Sequence, residues 1–204
     1  MPLTLTPVAP NPGPPQLSER AMDNLEFIRD TMERAGSFTA VPGIGMVVIG
    51  LSAVAAATLS PALPGDPRWL SVWLAEAVLS VTISWAAITL KARRSGMSLI
   101  SAPSRKFALA FAPPLFVGAI LTFALMTAGV PQVLPGTWLL LYGTGVVAGG
   151  AYSVRIVPIM GVCFLAAGVA ALIAPVAWTN YVLAGAFGGL HILFGLQIAR
   201  RHGG

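Results

Sequence analysis

The chain has 204 residues, of which 56% are hydrophobic and only 9% charged, where a soluble domain carries about 25% charged residues. Its net charge of +5 comes from 12 Lys and Arg against 7 Asp and Glu, and mean hydropathy is +0.80. These values exclude a soluble globular enzyme, a disordered chain and a nucleic-acid-binding domain, and the single cysteine excludes an internal disulfide or a cysteine-cluster metal site.

Residues 1–16 hold six prolines and no basic residue. They predict an extended tail, a linker or a ligand for a proline-reading domain. A secretory signal does not fit, because it needs a positive start. Residues 17–36 predict a cytoplasmic amphipathic helix. Ser18 can cap its start and Gly36 its end. Leu25, Ile28, Met32 and Ala35 recur at three- and four-residue steps and form one stripe. Glu19, Asp23, Glu26, Asp30 and Glu33 with Arg20, Arg29 and Arg34 give the segment a net charge of −2. Helices that lie on anionic lipid are basic. This acidic face instead suits the basic 91–106 loop or a partner protein, and a solvated helix packed under the bundle is the plainer alternative.

Six apolar stretches follow, at 39–60, 69–91, 107–128, 134–151, 155–175 and 178–199, each near the 20 residues a spanning helix needs. A β-barrel does not fit, because runs such as Val47-Val48-Ile49-Gly50-Leu51 do not alternate. The expected fold is an all-α polytopic bundle of six transmembrane helices over 37–200, arranged as three hairpins, with 201–204 as a tail. Of the 12 Lys and Arg, 11 fall on one side if both termini are cytoplasmic: Arg20, Arg29, Arg34, Lys91, Arg93, Arg94, Arg105, Lys106, Arg155, Arg200 and Arg201. Only Arg68 falls outside. That asymmetry predicts a multi-pass protein of the cytoplasmic membrane with cytoplasmic termini. Trp69, Trp138 and Trp178 fall at the outer ends of spans 2, 4 and 6, where an aromatic belt is expected. Arg155 and Tyr152 fall at the cytoplasmic edge, where Arg155 can snorkel.

Spans 1 and 5 share a pattern: Val41-Pro42-Gly43-Ile44-Gly45 against Val157-Pro158-Ile159-Met160-Gly161. Span 3 has the looser Pro114-Leu115-Phe116-Val117-Gly118. The stretch Gly161, Gly168 and Pro175 at seven-residue intervals, followed by Leu183 to Gly195, resembles the glycine-rich hairpin unit of the bacterial acid-resistance membrane family. The resemblance is strongest over 157–197 and faint over 41–88. It implies six helices in repeated hairpins and a role in acid stress, with no catalytic residue. The acidic helix followed by Arg34-Ala35-Gly36-Ser37-Phe38-Thr39-Ala40-Val41-Pro42-Gly43 is also similar to small six-span bacterial proteins.

Ionisable residues within spans are expensive and serve as functional hypotheses. Glu76 shares a stripe with Trp69, Trp73, Ser80, Ser84 and Lys91, which therefore faces other helices or water. It reads either as a protonatable carboxylate in a proton or cation path or as a structural carboxyl bonded to Tyr142 or Tyr181 at similar depth. His191 reads as a proton relay or as an imidazole bonded to a backbone carbonyl or a hydroxyl. Counting from Trp69 and Trp178 places the two about 10 Å apart in depth, so a direct pair is not expected. A metal site and a cofactor are not expected either, since only His202 accompanies His191. Gly145-x-x-x-Gly149 and Gly185-x-x-x-Gly189 predict close helix packing, or a face for a second copy. Cys163 reads as a small apolar filler. Pro113, Pro114 and Pro158 are expected near span ends, where they would not break a helix at mid-depth.

The sequence therefore favours a non-enzymatic membrane protein, a stress-response or complex subunit. Its partner, a protein or a second copy, would be held through Leu25, Ile28 and Met32 and through Arg93, Arg94, Arg105 and Lys106. A small transporter using Glu76 and a lipid-modifying enzyme with a pocket lined by Glu76, Tyr142 and Tyr181 are the alternatives. The bilayer is the one partner every reading shares.

Overall fold

The computed structural model describes residues 22–28, 32, 41–94 and 101–202. The chain divides into two units, 1–35 and 36–204. In the first, residues 22–28 and Met32 are helical. The rest of the predicted 17–36 helix and the whole proline-rich tail lie outside the described residues, as does the 95–100 part of the basic loop.

In the second unit the described residues form helices and short turns, with no strand among them. They are α1 (Gly43–Leu59), α2 (Pro67–Arg94), α3 (Ala102–Thr127), α4 (Leu134–Gly150) and α5 (Ile156–Ile173). The final span is built of α6 (Thr179–Leu183), a π-helical segment (Ala184–Leu190) and α7 (His191–His202). Five helical stretches are long and apolar enough to cross a membrane: Pro67–Arg94, Ala102–Thr127, Pro131–Gly150, Ile156–Ile173 and Val176–Arg201. The sixth, α1, is apolar but only 17 residues long. Exposed side chains such as Leu51, Val78, Phe116, Phe123 and Val162 cover the outside of this unit. In water such a surface would drive aggregation. Against lipid it needs no partner.

Local chemistry sets the helix ends. Asp66 accepts from the Arg68 N–H at 2.8 Å, just ahead of Pro67 at the start of α2. Ser101 accepts from the Ser104 N–H and Pro103 occupies the first turn of α3. Gly129, at φ +72°, closes α3 in a left-handed cap: its N–H donates to the Met126 carbonyl and the Val130 N–H to that of Leu125. These boundaries correct the sequence reading. Arg93, Arg94, Arg105 and Lys106 lie on helices, at the end of α2 and the start of α3 rather than in a loop. Pro113 and Pro114 lie mid-way along α3, which continues through them. Arg201 and His202 extend α7 rather than forming a tail.

The packing also departs from three sequential hairpins. Nine of the 17 residues of α4 are buried and three of the 26 of α3, so α4 is central and α3 peripheral. α4 packs on both α3 and α5, whereas α1 packs on α2 and on the final span. α5 and the final span, adjacent in sequence, touch little. The reason is glycine. Where a Cβ at Gly43 would stand, the Gly195 carbonyl oxygen is 2.7 Å away, and at Gly143 the Gly161 carbonyl is 2.9 Å away. Backbones meet directly at both crossings, which is how spans associate when burial from water gives no drive. Of the two spaced glycine pairs, Gly145 and Gly149 do pack, against Phe111 and Phe107. Gly185 meets nothing within 4 Å and Gly189 only the Ala184 carbonyl at 4.0 Å, so that pair is not a packing face within the chain.

Candidate functional site: polar centres of the bundle

Glu76 is buried on α2. Its Oε1 accepts from Ser80 Oγ at 2.8 Å, one turn along the same helix, and from Ser52 Oγ of α1 at 2.9 Å. The expected tyrosine partners are not used: Tyr142 is engaged elsewhere, and Tyr181 is 78% exposed. Depth along a helix was readable, but direction around it was not, and α1 stands where a tyrosine was expected. Ser52 Oγ also lies 2.9 Å from the Ile49 carbonyl, so one hydroxyl proton serves two acceptors. One turn before Glu76, the indole N–H of Trp73 is buried without a hydrogen-bond partner among the described residues. Ser84 is half-buried, and Lys91, at the far end of the stripe, donates from Nζ to the Val41 carbonyl at 2.9 Å.

His191 is buried where the two helix groups meet. Nδ1 lies 2.8 Å from the Phe187 carbonyl, which can only accept, so this nitrogen carries a proton. Nε2 lies 2.7 Å from the Tyr142 hydroxyl and, in the neutral ring protonated at Nδ1, accepts a hydrogen bond from it. The π-helical turn makes room for this. The His191 backbone N–H donates to the Gly188 carbonyl, leaving that of Phe187 to meet the ring. Around the pair stands an aromatic core: Tyr142 lies edge-on to Phe164 at 4.7 Å, Phe187 at 5.4 Å and Phe111 at 5.9 Å. Phe111 belongs to α3, Tyr142 to α4, Phe164 to α5 and Phe187 to the final span, so one cluster ties four spans. Glu76 and His191 share no hydrogen bond among the described residues.

A third polar centre went unread in the sequence. Asn180 Oδ1 accepts from Trp69 Nε1 at 2.9 Å, and its Nδ2 donates to the Pro61 carbonyl at 2.8 Å and the Ser60 carbonyl at 3.3 Å. The amide thereby pins the end of α1 to α2 and the final span. The available signal was a lone Asn two residues past Trp178. Trp69 is fully buried and stacks on Trp138 at 5.3 Å, with Trp138 Nε1 donating to Thr122 Oγ1 at 2.8 Å. Of the three tryptophans expected to form a lipid-facing belt, only Trp178 is exposed. The other two found interior donors' partners, which suits a residue that needs both apolar surroundings and one acceptor.

At the opposite end of the final span, a cavity of about 630 Å³ is lined by Ser153, Arg155, Ile156, Ile159, Gln197 and Arg201 among others. Sequence analysis gave Arg155 only an orienting role. Among the described residues no three His, Cys, Asp or Glu side chains converge on a metal position. Of the residues proposed to hold a partner, Leu25, Ile28 and Met32 are 66%, 51% and 70% exposed. Lys106 Nζ stands 6.0 Å from the centre of the exposed Tyr152 ring.

No family model matches this sequence, no curated protein matches it, and no solved structure matches its fold.

Proposed function

We propose that this chain is a non-enzymatic integral membrane protein of the bacterial cytoplasmic membrane, with six spans and both termini cytoplasmic. In this reading it serves as a stress-response or membrane-complex subunit that binds a partner protein through its acidic N-terminal helix and the basic ends of α2 and α3. The observation that carries the reading is the stripe Leu25, Ile28 and Met32, apolar and more than half exposed, with the exposed Asp23 and Glu26 beside it. Such a stripe fits an apolar groove with a basic rim, the helix-in-groove mode of recognition. The interior supports the same reading. The buried Glu76 and His191 and the half-buried Asn180 are bonded to neighbours across helix seams, which fixes a scaffold.

A second reading, a small proton or ion transporter using Glu76, is favoured by one observation: Ser52 can turn its proton toward either Ile49 or Glu76, so the carboxyl has a ready partner in both protonation states. The cavity does not include Glu76. It does not include Tyr142 or Tyr181 either.

The test is gentle purification from native membrane followed by mass spectrometry of co-purifying proteins, beside a chain lacking 17–35. We expect a specific partner that the deletion releases while the bundle stays folded. A protein that purifies alone in both forms would overturn the subunit reading.

A further inference from the structure

The cavity at the end of the bundle is chemically one-sided. Arg155 stands at the start of α5, and Arg201 and Gln197 lie near the end of α7. No ion pair involves either arginine among the described residues. Within 36–204 the only side-chain carboxylates are Asp66 and Glu76. Asp66 lies beyond Ser60, at the Asn180 end of the final span, whereas Arg201 lies beyond Gly195 at its other end. Glu76 is held by Ser52 and Ser80 inside the bundle. Two guanidiniums, an amide and the Ser153 hydroxyl thus line one recess, and no side-chain carboxylate among the described residues of 36–204 lies beside them. Guanidinium forks match phosphate oxygens in pairs.

The walls say which phosphate. Ile156 and Ile159 line the recess. From Ile159 an exposed apolar stripe, Ile159, Val162, Ala166, Val169 and Ile173, runs the length of α5 in three- and four-residue steps. An 18-residue helix is about 27 Å long, ample for an acyl chain lying against it. A free phosphate would use the arginines and leave the stripe idle. We propose that this recess binds the phosphate headgroup of an anionic phospholipid, with Arg155 and Arg201 on the phosphate oxygens, Gln197 and Ser153 as neutral hydrogen-bonding groups, and an acyl chain along the α5 stripe. This assignment is independent of the partner-binding proposal.

The experiment uses the full chain in nanodiscs of phosphatidylcholine with a minor fraction of phosphatidylglycerol. Lipids retained after transfer to detergent are counted by native mass spectrometry. The wild-type protein is expected to retain phosphatidylglycerol selectively. In R155Q/R201Q, retention should fall about twenty-five-fold, taking each cation at a membrane surface as worth about fivefold. Arg200→Gln, which removes an exposed arginine outside the recess, should leave it unchanged. Arg155 and Arg201 lie at helix ends, and an unchanged melting profile of the double variant in phosphatidylcholine alone reports that it has folded. R155K/R201K, which keeps the charge but not the fork, should restore part of the retention. Equal loss in Arg200→Gln, or no loss in the double variant, would overturn the site. Stabilisation by millimolar inorganic phosphate without selective lipid retention would overturn the lipid assignment and leave a free-phosphate site.

Discussion

Glu76 was visible in the sequence because a carboxylate inside an apolar stretch has few explanations. Its surroundings were not, because spacing gives height along a helix and says nothing about which neighbour stands across the seam. Ser52 is one small hydroxyl among many, and its role depends on α1 lying against α2. Tyr142 was placed at useful depth but is claimed by His191, and Tyr181 faces outward. These contacts make a definite prediction for Glu76→Gln. The amide keeps an acceptor oxygen for Ser52 and Ser80, and Ser52 also has the Ile49 carbonyl. Interhelical hydrogen bonds in membranes average about 0.6 kcal/mol, so the variant should lose no more than about 1 kcal/mol in a denaturant titration in detergent micelles. On the scaffold reading, liposomes bearing either form should show the same proton leak across an imposed pH gradient. A pH-dependent flux present in the wild type and absent in the variant would move the carboxylate into a transport path and favour the second reading.

At the scale of elements, glycine decides what packs where. The sequence shows its spacing, but two equally spaced pairs, at 145 and 149 and at 185 and 189, have opposite fates. The first faces the Phe107 and Phe111 rungs of α3, whereas the second faces outward. The glycines that matter most to the final span were not in a spaced motif at all. At Gly50 an added Cβ would stand 2.6 Å from the Gly188 carbonyl oxygen and 2.9 Å from the Ile192 nitrogen. Both are backbone atoms, so only separation of α1 from the final span relieves the clash. Gly50→Ala should therefore destabilise the fold by about 1–3 kcal/mol, the usual cost of overpacking. Gly185→Ala adds its methyl to open space and should leave stability unchanged or slightly raised. Unfolding titrations of the two variants side by side check the contrast, and equal effects would mean that α1 and the final span are not held by that crossing. The π-helical segment is the other feature that no pattern announced. Its Ala-Gly-Ala-Phe-Gly-Gly-Leu sequence is permissive rather than prescriptive, and the widened turn follows from His191 and Phe187 meeting across it.

At the scale of the molecule, hydropathy revealed the apolar helices, and charge asymmetry suggested a direction; of the three expected hairpins, α1 with α2 and α3 with α4 pack together, whereas α5 and the final span, neighbours in sequence, touch little. The consequence bears on α1. At 17 residues it spans about 25 Å, short of the roughly 30 Å hydrocarbon core. Yet it accompanies the final span almost end to end. Gly43 meets Gly195, Gly50 meets Gly188, and the carbonyls of Ser60 and Pro61 after its last turn are held by Asn180. On the six-span reading, α1 crosses whatever thickness of membrane lies between Asn180 and Gly195, and local thinning or flanking residues would meet the modest shortfall. We therefore expect six crossings, testable by single cysteines in a Cys163→Ala background with a membrane-impermeant thiol reagent on intact cells. Gly65→Cys and Val176→Cys should label from outside. Ala151→Cys should label only after permeabilisation, and so should Ser37→Cys, placed just ahead of α1. External labelling at Ser37→Cys together with Gly65→Cys would put both ends of α1 on one face, reduce the count to five, and move the N-terminal helix to the outside, away from any cytoplasmic partner.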